Sequence, residues 1–194
     1  TLNPSSAASD VYKRQPWNRV DVFLGDERWV SADDESSNAR MLRSTLLKAG
    51  EPGAAACFHP VPTVELPTPE ASADAFAQLI ANSCSGEPPI FDMMVLGLGD
   101  DGHTASLFPG TDAPEVRDRW TTIGRGKGLE RITLTAPVLS ASRTVMFLVS
   151  GANKREALRR LLDPAESSQR TPAKLAQPEA EIIVLADEAA SEGL

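Results

Sequence analysis

Apolar residues recur along this chain in two rhythms. Val20-Asp-Val-Phe-Leu24 is a short β-favouring run that stops at Gly25, and Phe91-Asp-Met-Met-Val-Leu96 is nearly continuous. Ile132–Thr135, Val145–Val149 and Ile182–Leu185 follow as three further strand-like runs. Elsewhere the spacing is helical. Ala39, Leu42, Leu46 and Ala49 recur behind Ser36 or Ser37 as N-cap, with Gly50 as stop. Thr68-Pro69-Glu70 opens a second helix carrying Ala73, Phe76, Ile80 and Cys84 on one face. Leu158, Leu161 and Leu162 mark a third, which ends before Pro164. The polar stretch 26–37 is expected to be loop, and the Pro-rich stretch 51–68 a connector with at most one small strand.

Short apolar runs separated by helices are expected of strands buried on both faces of a parallel sheet. The predicted fold class is therefore α/β with a mostly parallel sheet. No internal repeat or second domain is visible, so residues 16–194 are expected to form one domain. Residues 1–15 differ in composition and lack both a basic start and an apolar core, which excludes a secretory signal. Ser9-Asp-Val-Tyr-Lys-Arg-Gln15 resembles translated adapter sequence, and this leader is expected to be non-native or disordered.

Composition narrows the function classes. Nineteen Lys and Arg against 27 Asp and Glu give a formal charge of −8. That balance argues against nucleic acid and anionic membrane as partners, since no basic stripe offsets it. No apolar run approaches the roughly 20 residues that cross a bilayer. Two cysteines without metal-like spacing, Cys57 and Cys84, fit a reducing compartment and read as plain packing residues. A cytoplasmic location is expected.

In open parallel sheets, ligands sit beyond the carboxyl ends of the strands. Polar residues follow three of the apolar runs directly: Asp26, Glu27 and Arg28; Asp100, Asp101 and His103; and Lys154. This convergence on one sheet edge predicts an active site. Gly97-Leu-Gly-Asp-Asp-Gly102 formally matches a dinucleotide loop, but two carboxylates within it would repel a pyrophosphate. The glycines instead allow a sharp bend that brings backbone and His103 close to a small ligand. An imidazole ordinarily titrating near about 6.5 suits proton abstraction at neutral pH, and Asp101 is placed to orient the ring. Arg28 reads equally as a surface ion pair or as a phosphate-binding fork. Lys154, at a helix start, opposes the helix dipole unless it serves an anion. Two distant histidines give no zinc signature, His59 reads as a structural or surface residue, and no G-x-S-x-G elbow is present.

Gly97-Leu-Gly-Asp-Asp-Gly-His-Thr-Ala-Ser-Leu-Phe-Pro-Gly110 closely resembles the signature of 6-phosphogluconolactonases. Gly25-Asp-Glu-Arg-Trp-Val30, Arg131-Ile-Thr-Leu-Thr135 and Gly151-Ala-Asn-Lys154 agree in order and content, and the resemblance runs from about Val20 to the C-terminus. It implies a Rossmann-like three-layer α/β/α fold and a cofactor-free, metal-free hydrolase of the pentose phosphate pathway. That enzyme would open 6-phosphogluconolactone to 6-phosphogluconate, as a monomer or weak homo-oligomer. By position, His103 resembles the family's general base, with Asp101 beside it. Arg28 and Lys154 resemble its phosphate-binding cations, and Gly102, Thr104 and Arg131 are further expected substrate contacts. Backbone amides of the Gly-rich turn are expected to face the oxyanion.

Two departures accompany the resemblance. Nothing before Val20 resembles the family's first strand and Gly-Gly-Ser-type loop, so the chain is expected to lack that β-α unit. Ser140 also stands where the family often has Asn. Two alternatives remain open on these residues. A glucosamine-6-phosphate deaminase shares the Asp-Gly-His core, but by resemblance it would carry Glu at the position of Phe108. A non-catalytic sugar-phosphate-binding domain would keep the cations without turnover.

Overall fold

The computed structural model describes residues 16–179 and 181–194; the expected leader at 1–15 lies outside the described residues. Among the described residues, three small sheets carry the fold. β1 (Asp21–Phe23) pairs in parallel with β3 (Cys57–His59). β4 (Met93–Gly97), β7 (Thr144–Val149) and β8 (Glu181–Ala186) form an all-parallel sheet in that order. The third sheet is antiparallel and has the order β2 (Asp26–Arg28), β6 (Leu129–Leu134), β5 (Thr121–Gly126). The architecture is thus mixed α/β, with parallel sheets joined to an antiparallel one.

The antiparallel sheet corrects two sequence expectations. Asp26–Arg28 was expected as loop because its residues are polar, yet it forms a strand against β6. Its polar side chains are consumed by hydrogen bonds instead of water, as described below. β5 was not anticipated, since Thr-Thr-Ile-Gly-Arg-Gly breaks the apolar alternation that marks a strand.

The helices follow their caps. α1 covers Asn38–Ser44 behind Ser37, whose hydroxyl oxygen accepts from the Arg40 amide. The predicted helix ran to Ala49, but the Ser44 and Thr45 hydroxyls both donate to the Met41 carbonyl and the backbone turns away at Thr45. α2 (Pro69–Ser83) starts as predicted, with the Thr68 hydroxyl oxygen accepting from the Ala71 amide. It buries Ala73, Phe76 and Ile80. α3 (Ala136–Ala141), α4 (Arg155–Leu162) and α5 (Glu188–Ser191) complete the set. No helix among the described residues is long and apolar enough to cross a membrane.

One core joins these elements, from Leu24 through Phe76, Leu96, Ile132 and Phe147 to Leu158 and Ala190. The parallel sheet does not meet the expectation of burial on both faces. Met94, Leu96, Val145, Phe147 and Val149 point into the core. On the other face, Met93, Val95, Leu148 and Leu185 are about half exposed, between 49% and 56%. Register makes this face continuous, because Val95 pairs with Met146, Met146 with Ile183, and Leu148 with Leu185.

A surface of this kind predicts binding of the dye ANS by the fully folded chain. Val95→Thr with Leu148→Thr should lower that fluorescence while changing unfolding free energy by less than about 1 kcal/mol, since exposed positions contribute little. A loss of several kcal/mol in urea denaturation would contradict the exposure of this face.

Candidate active site

The segment after β4 turns on itself within six residues. The Gly102 amide donates to the Gly99 carbonyl at 3.0 Å, and the Gly99 amide donates to the His103 carbonyl at 2.8 Å. Gly102 has a φ of 93°, in the left-handed region that favours glycine. Gly99 is required for a different reason. A Cβ there would stand 2.0 Å from His103 Nδ1 and 2.6 Å from Asp101 Oδ1, so only bare backbone lets the ring fold over the turn.

In that position His103 Nδ1 lies 2.5 Å from Asp101 Oδ1, and the same oxygen accepts from the His103 amide at 3.1 Å. The imidazole is mostly buried, with 15% of its side chain exposed. Burial pushes the Asp101 carboxyl up, but hydrogen bonds from the His103 amide and ring, with nearby positive charge, outweigh it. Asp101 is thereby held below the ordinary carboxylate value. A carboxylate at Oδ1 can only accept, so Nδ1 carries a proton, and in the neutral ring Nε2 is the nitrogen with the lone pair.

The residues beyond His103 are fixed in depth. Thr104 is fully buried and its hydroxyl donates to the Gly97 carbonyl. Ser106 donates from its hydroxyl to Asp26 Oδ2 at 2.5 Å, and its amide donates to the Thr133 hydroxyl. Phe108 places its ring 4.4 Å from the His103 ring. This stretch presses on β5, where a Cβ on Gly126 would meet Phe108 at 2.5 Å.

Arg131 also approaches Phe108, its guanidinium carbon 5.4 Å from the ring centroid. It pairs with Asp26 at 3.6 Å and stands opposite Arg28 across the β2–β6 pair. Burial, and next the Arg28 charge, pull the Arg131 pKa down, with Asp26 opposing. The Nε atoms of both arginines are buried without a hydrogen-bond partner. Arg28 donates from Nη1 to the Ser36 carbonyl and to Asn38 Oδ1.

Glu27 explains why Asp-Glu-Arg folds inward. Its carboxylate is 2% exposed and accepts from the amides of Arg28, Asn38 and Ala39 and from the Ser37 hydroxyl. It therefore closes the N-terminus of α1, where amides lack intrahelical partners and negative charge is favoured. Arg28 is thus not the surface ion pair that its acidic neighbours suggested. A cavity of about 250 Å³ beside Glu27, lined also by Arg43, Pro60, Val61 and Glu65, includes none of the His103 loop.

Lys154 ends a single 3-10 turn, Ala152–Lys154, and precedes α4. Its loop is pinned by Asp187, which accepts from the Ser150 hydroxyl and the Gly151 amide. Two cations not foreseen in the sequence join it. Lys127, at the tip of the β5–β6 hairpin, lies 3.1 Å from Asp100. Hydrogen bonding and charge from Lys127, with a smaller contribution from Lys154, hold Asp100 below its ordinary value. Arg160 on α4 is buried and donates to the Asp100 carbonyl at 3.3 Å. The Gly126-Lys-Gly128 sequence carries a hairpin-turn signal that would have exposed Lys127. Nothing in the sequence marks Arg160 as turned inward.

His103 and Asp101 are therefore in direct contact, and Phe108 links His103 to Arg131, which faces Arg28. The Lys154 charge acts on Asp100 of the same loop. Gly102 serves the turn, and its carbonyl accepts from the Ala173 amide. The amides of Gly99, Gly102 and His103 already have partners, so the expected oxyanion role does not fall on these three.

Glu27→Ala would strand the Asn38 and Ala39 amides and the Ser37 hydroxyl at the start of α1, and the Arg28 amide in β2. It should cost at least about 3 kcal/mol in urea denaturation. A loss under about 1 kcal/mol would show that Glu27 does not hold this strand and helix together.

Residues 3–185 match the family model described as glucosamine-6-phosphate isomerases/6-phosphogluconolactonase. The 6-phosphogluconolactonase of a Synechocystis strain is 43% identical over 182 residues, covering 92% of this chain and 75% of that protein. That of a Nostoc strain is 42% identical over 181 residues, with the same coverage. The crystal structure of a 6-phosphogluconolactonase from Shewanella baltica superposes with a TM-score of 0.77 at 30% identity, covering 91% of this chain and 78% of that one. The chain belongs to the glucosamine-6-phosphate isomerase/6-phosphogluconolactonase family.

Proposed function

We propose that this chain hydrolyses 6-phospho-D-glucono-1,5-lactone to 6-phosphogluconate in the pentose phosphate pathway, with His103 as general base. The observation that carries the reading is the 2.5 Å contact between His103 Nδ1 and Asp101. It is joined by the relatives' identity as 6-phosphogluconolactonases.

The chemistry follows from the tautomer. Nε2 takes a proton from water as that water attacks the lactone carbonyl, while Asp101 steadies the imidazolium that forms. The tetrahedral intermediate collapses with the ring oxygen leaving, and the imidazolium returns its proton to that oxygen. Asp101, held below the ordinary carboxylate value of about 3.9, stays ionised across the neutral range. Arg28, Arg131 and Lys154 are the cations we assign to the substrate phosphate. The unpartnered Nε atoms of the two arginines support that assignment. Gly102 and Thr104 act by shaping the loop. No cofactor or metal enters these steps.

Phe108 favours lactonase over deaminase, because an apolar ring rests against His103 where the deaminase resemblance calls for a carboxylate. We further read residues 16–194 as one Rossmann-like three-layer domain, on the strength of the shared core and the parallel order β4–β7–β8. A cytoplasmic location suits the acidic charge and the two free thiols, and a monomer or weak homo-oligomer remains the expected state.

Hydrolysis of 6-phosphogluconolactone, corrected for the spontaneous rate and assayed with chelator, tests the reading. His103→Ala should lower kcat about 10²- to 10⁴-fold, and Asp101→Asn at least about 10²-fold through the wrong tautomer. Turnover that survives His103→Ala would overturn the mechanism. Ammonia release from glucosamine 6-phosphate in place of lactone hydrolysis would overturn the activity.

A further inference from the structure

The β1–β3 pair carries a second cluster of reactive side chains that shares no residue with the His103 site. Its register sets Asp21 opposite Cys57 and Phe23 opposite His59. Paired residues of parallel strands, and residues two apart along one strand, project from the same face. Asp21, Cys57 and His59 therefore converge on one side of a rigid two-stranded frame.

Their donor atoms lie within 4.8 Å of one another, and His59 Nε2 is 2.6 Å from Asp21 Oδ1. Phe23 stacks flat against the imidazole, with centroids 4.4 Å apart and planes within 5°, which fixes the direction of the ring. Cys57 is a free thiol, exposed to solvent. One thiolate, one imidazole and one carboxylate make the donor set that zinc-class ions prefer. Metal–ligand bonds of about 2.0–2.3 Å in a tetrahedron put ligand atoms roughly 3.2–3.8 Å apart. The His59–Asp21 pair needs to open, and the sulfur to close, by only about an ångström.

We propose that Asp21, Cys57 and His59 bind a divalent cation of the zinc class, with water in the fourth position. The site is open on the side of Asp21 and Cys57, as a three-ligand site with a solvent position requires. Binding replaces the thiol proton with the metal and ties the two strands together, so the bound ion raises folding stability. From sequence, His59 reads as a structural or surface residue and Cys57 as plain packing, because a lone histidine and two isolated thiols show no metal-like spacing. The third ligand comes from a strand 36 residues earlier than Cys57, and only register reveals it.

Cobalt titration of the metal-stripped chain tests the site without reference to catalysis. One equivalent of Co²⁺ should produce a thiolate-to-cobalt charge-transfer band that Zn²⁺ then displaces. Cys57→Ser, nearly isosteric and at an exposed position, should abolish the band, whereas Cys84→Ser should retain it. Asp21→Ala should weaken binding at least about tenfold, and Zn²⁺ should raise Tm in the wild type but not in Cys57→Ser. Absence of the band in the folded wild type, its survival in Cys57→Ser, its loss in Cys84→Ser, or unchanged affinity in Asp21→Ala would each overturn the proposal.

Discussion

The His103 ring occupies space that any side chain on Gly99 would fill, and the site is organised around that close approach. With the ring folded back over the turn, a single carboxylate oxygen reaches both its Nδ1 and its backbone amide. The proton is thereby directed to one nitrogen and the other is freed for chemistry. Everything downstream keeps the ring there. Thr104 and Ser106 anchor the loop to β4, β2 and β6 through buried hydroxyls, and bare backbone at Gly126 lets Phe108 close over the imidazole.

The same region resolves an electrostatic conflict. An acidic chain must present positive charge to a phosphorylated substrate, and it does so by giving each local carboxylate an internal task. Glu27 closes a helix, Asp26 holds Ser106 and faces Arg131, Asp101 orients His103, and Asp100 meets Lys127. Arg28 and Arg131 then stand opposite one another with nitrogens still unpartnered. Asp26 only partly offsets the burial and mutual repulsion of these two neighbouring guanidiniums, which suits them to receive a further anion.

Much of this was legible in the sequence where periodicity and chemistry agreed. β4 and α2 announced themselves through a continuous apolar run and a Thr-Pro-Glu start, and His103 through glycines that serve no dinucleotide. Asp26–Arg28 was not legible as a strand, because strand signals are apolar and these side chains are buried by hydrogen bonding. α1 stopped early since hydroxyls at positions 44 and 45 compete for a helix carbonyl, which no hydrophobic pattern reports. Arg160 read as an ordinary solvated helix residue, and only tertiary packing turns it toward Asp100. The apolar runs of β4 and β7 correctly signalled a parallel sheet, yet half of each run faces outward among the described residues.

The nitrogen-15 resonances of the His103 imidazole, recorded near neutral pH in the wild type and in Asp101→Asn, address the central claim most directly. If Asp101 directs the proton to Nδ1, the wild-type spectrum will show a protonated Nδ1 and a bare Nε2, and the substitution will mix or reverse the two tautomers. A wild-type ring protonated at Nε2, or a tautomer indifferent to Asp101, would contradict the account.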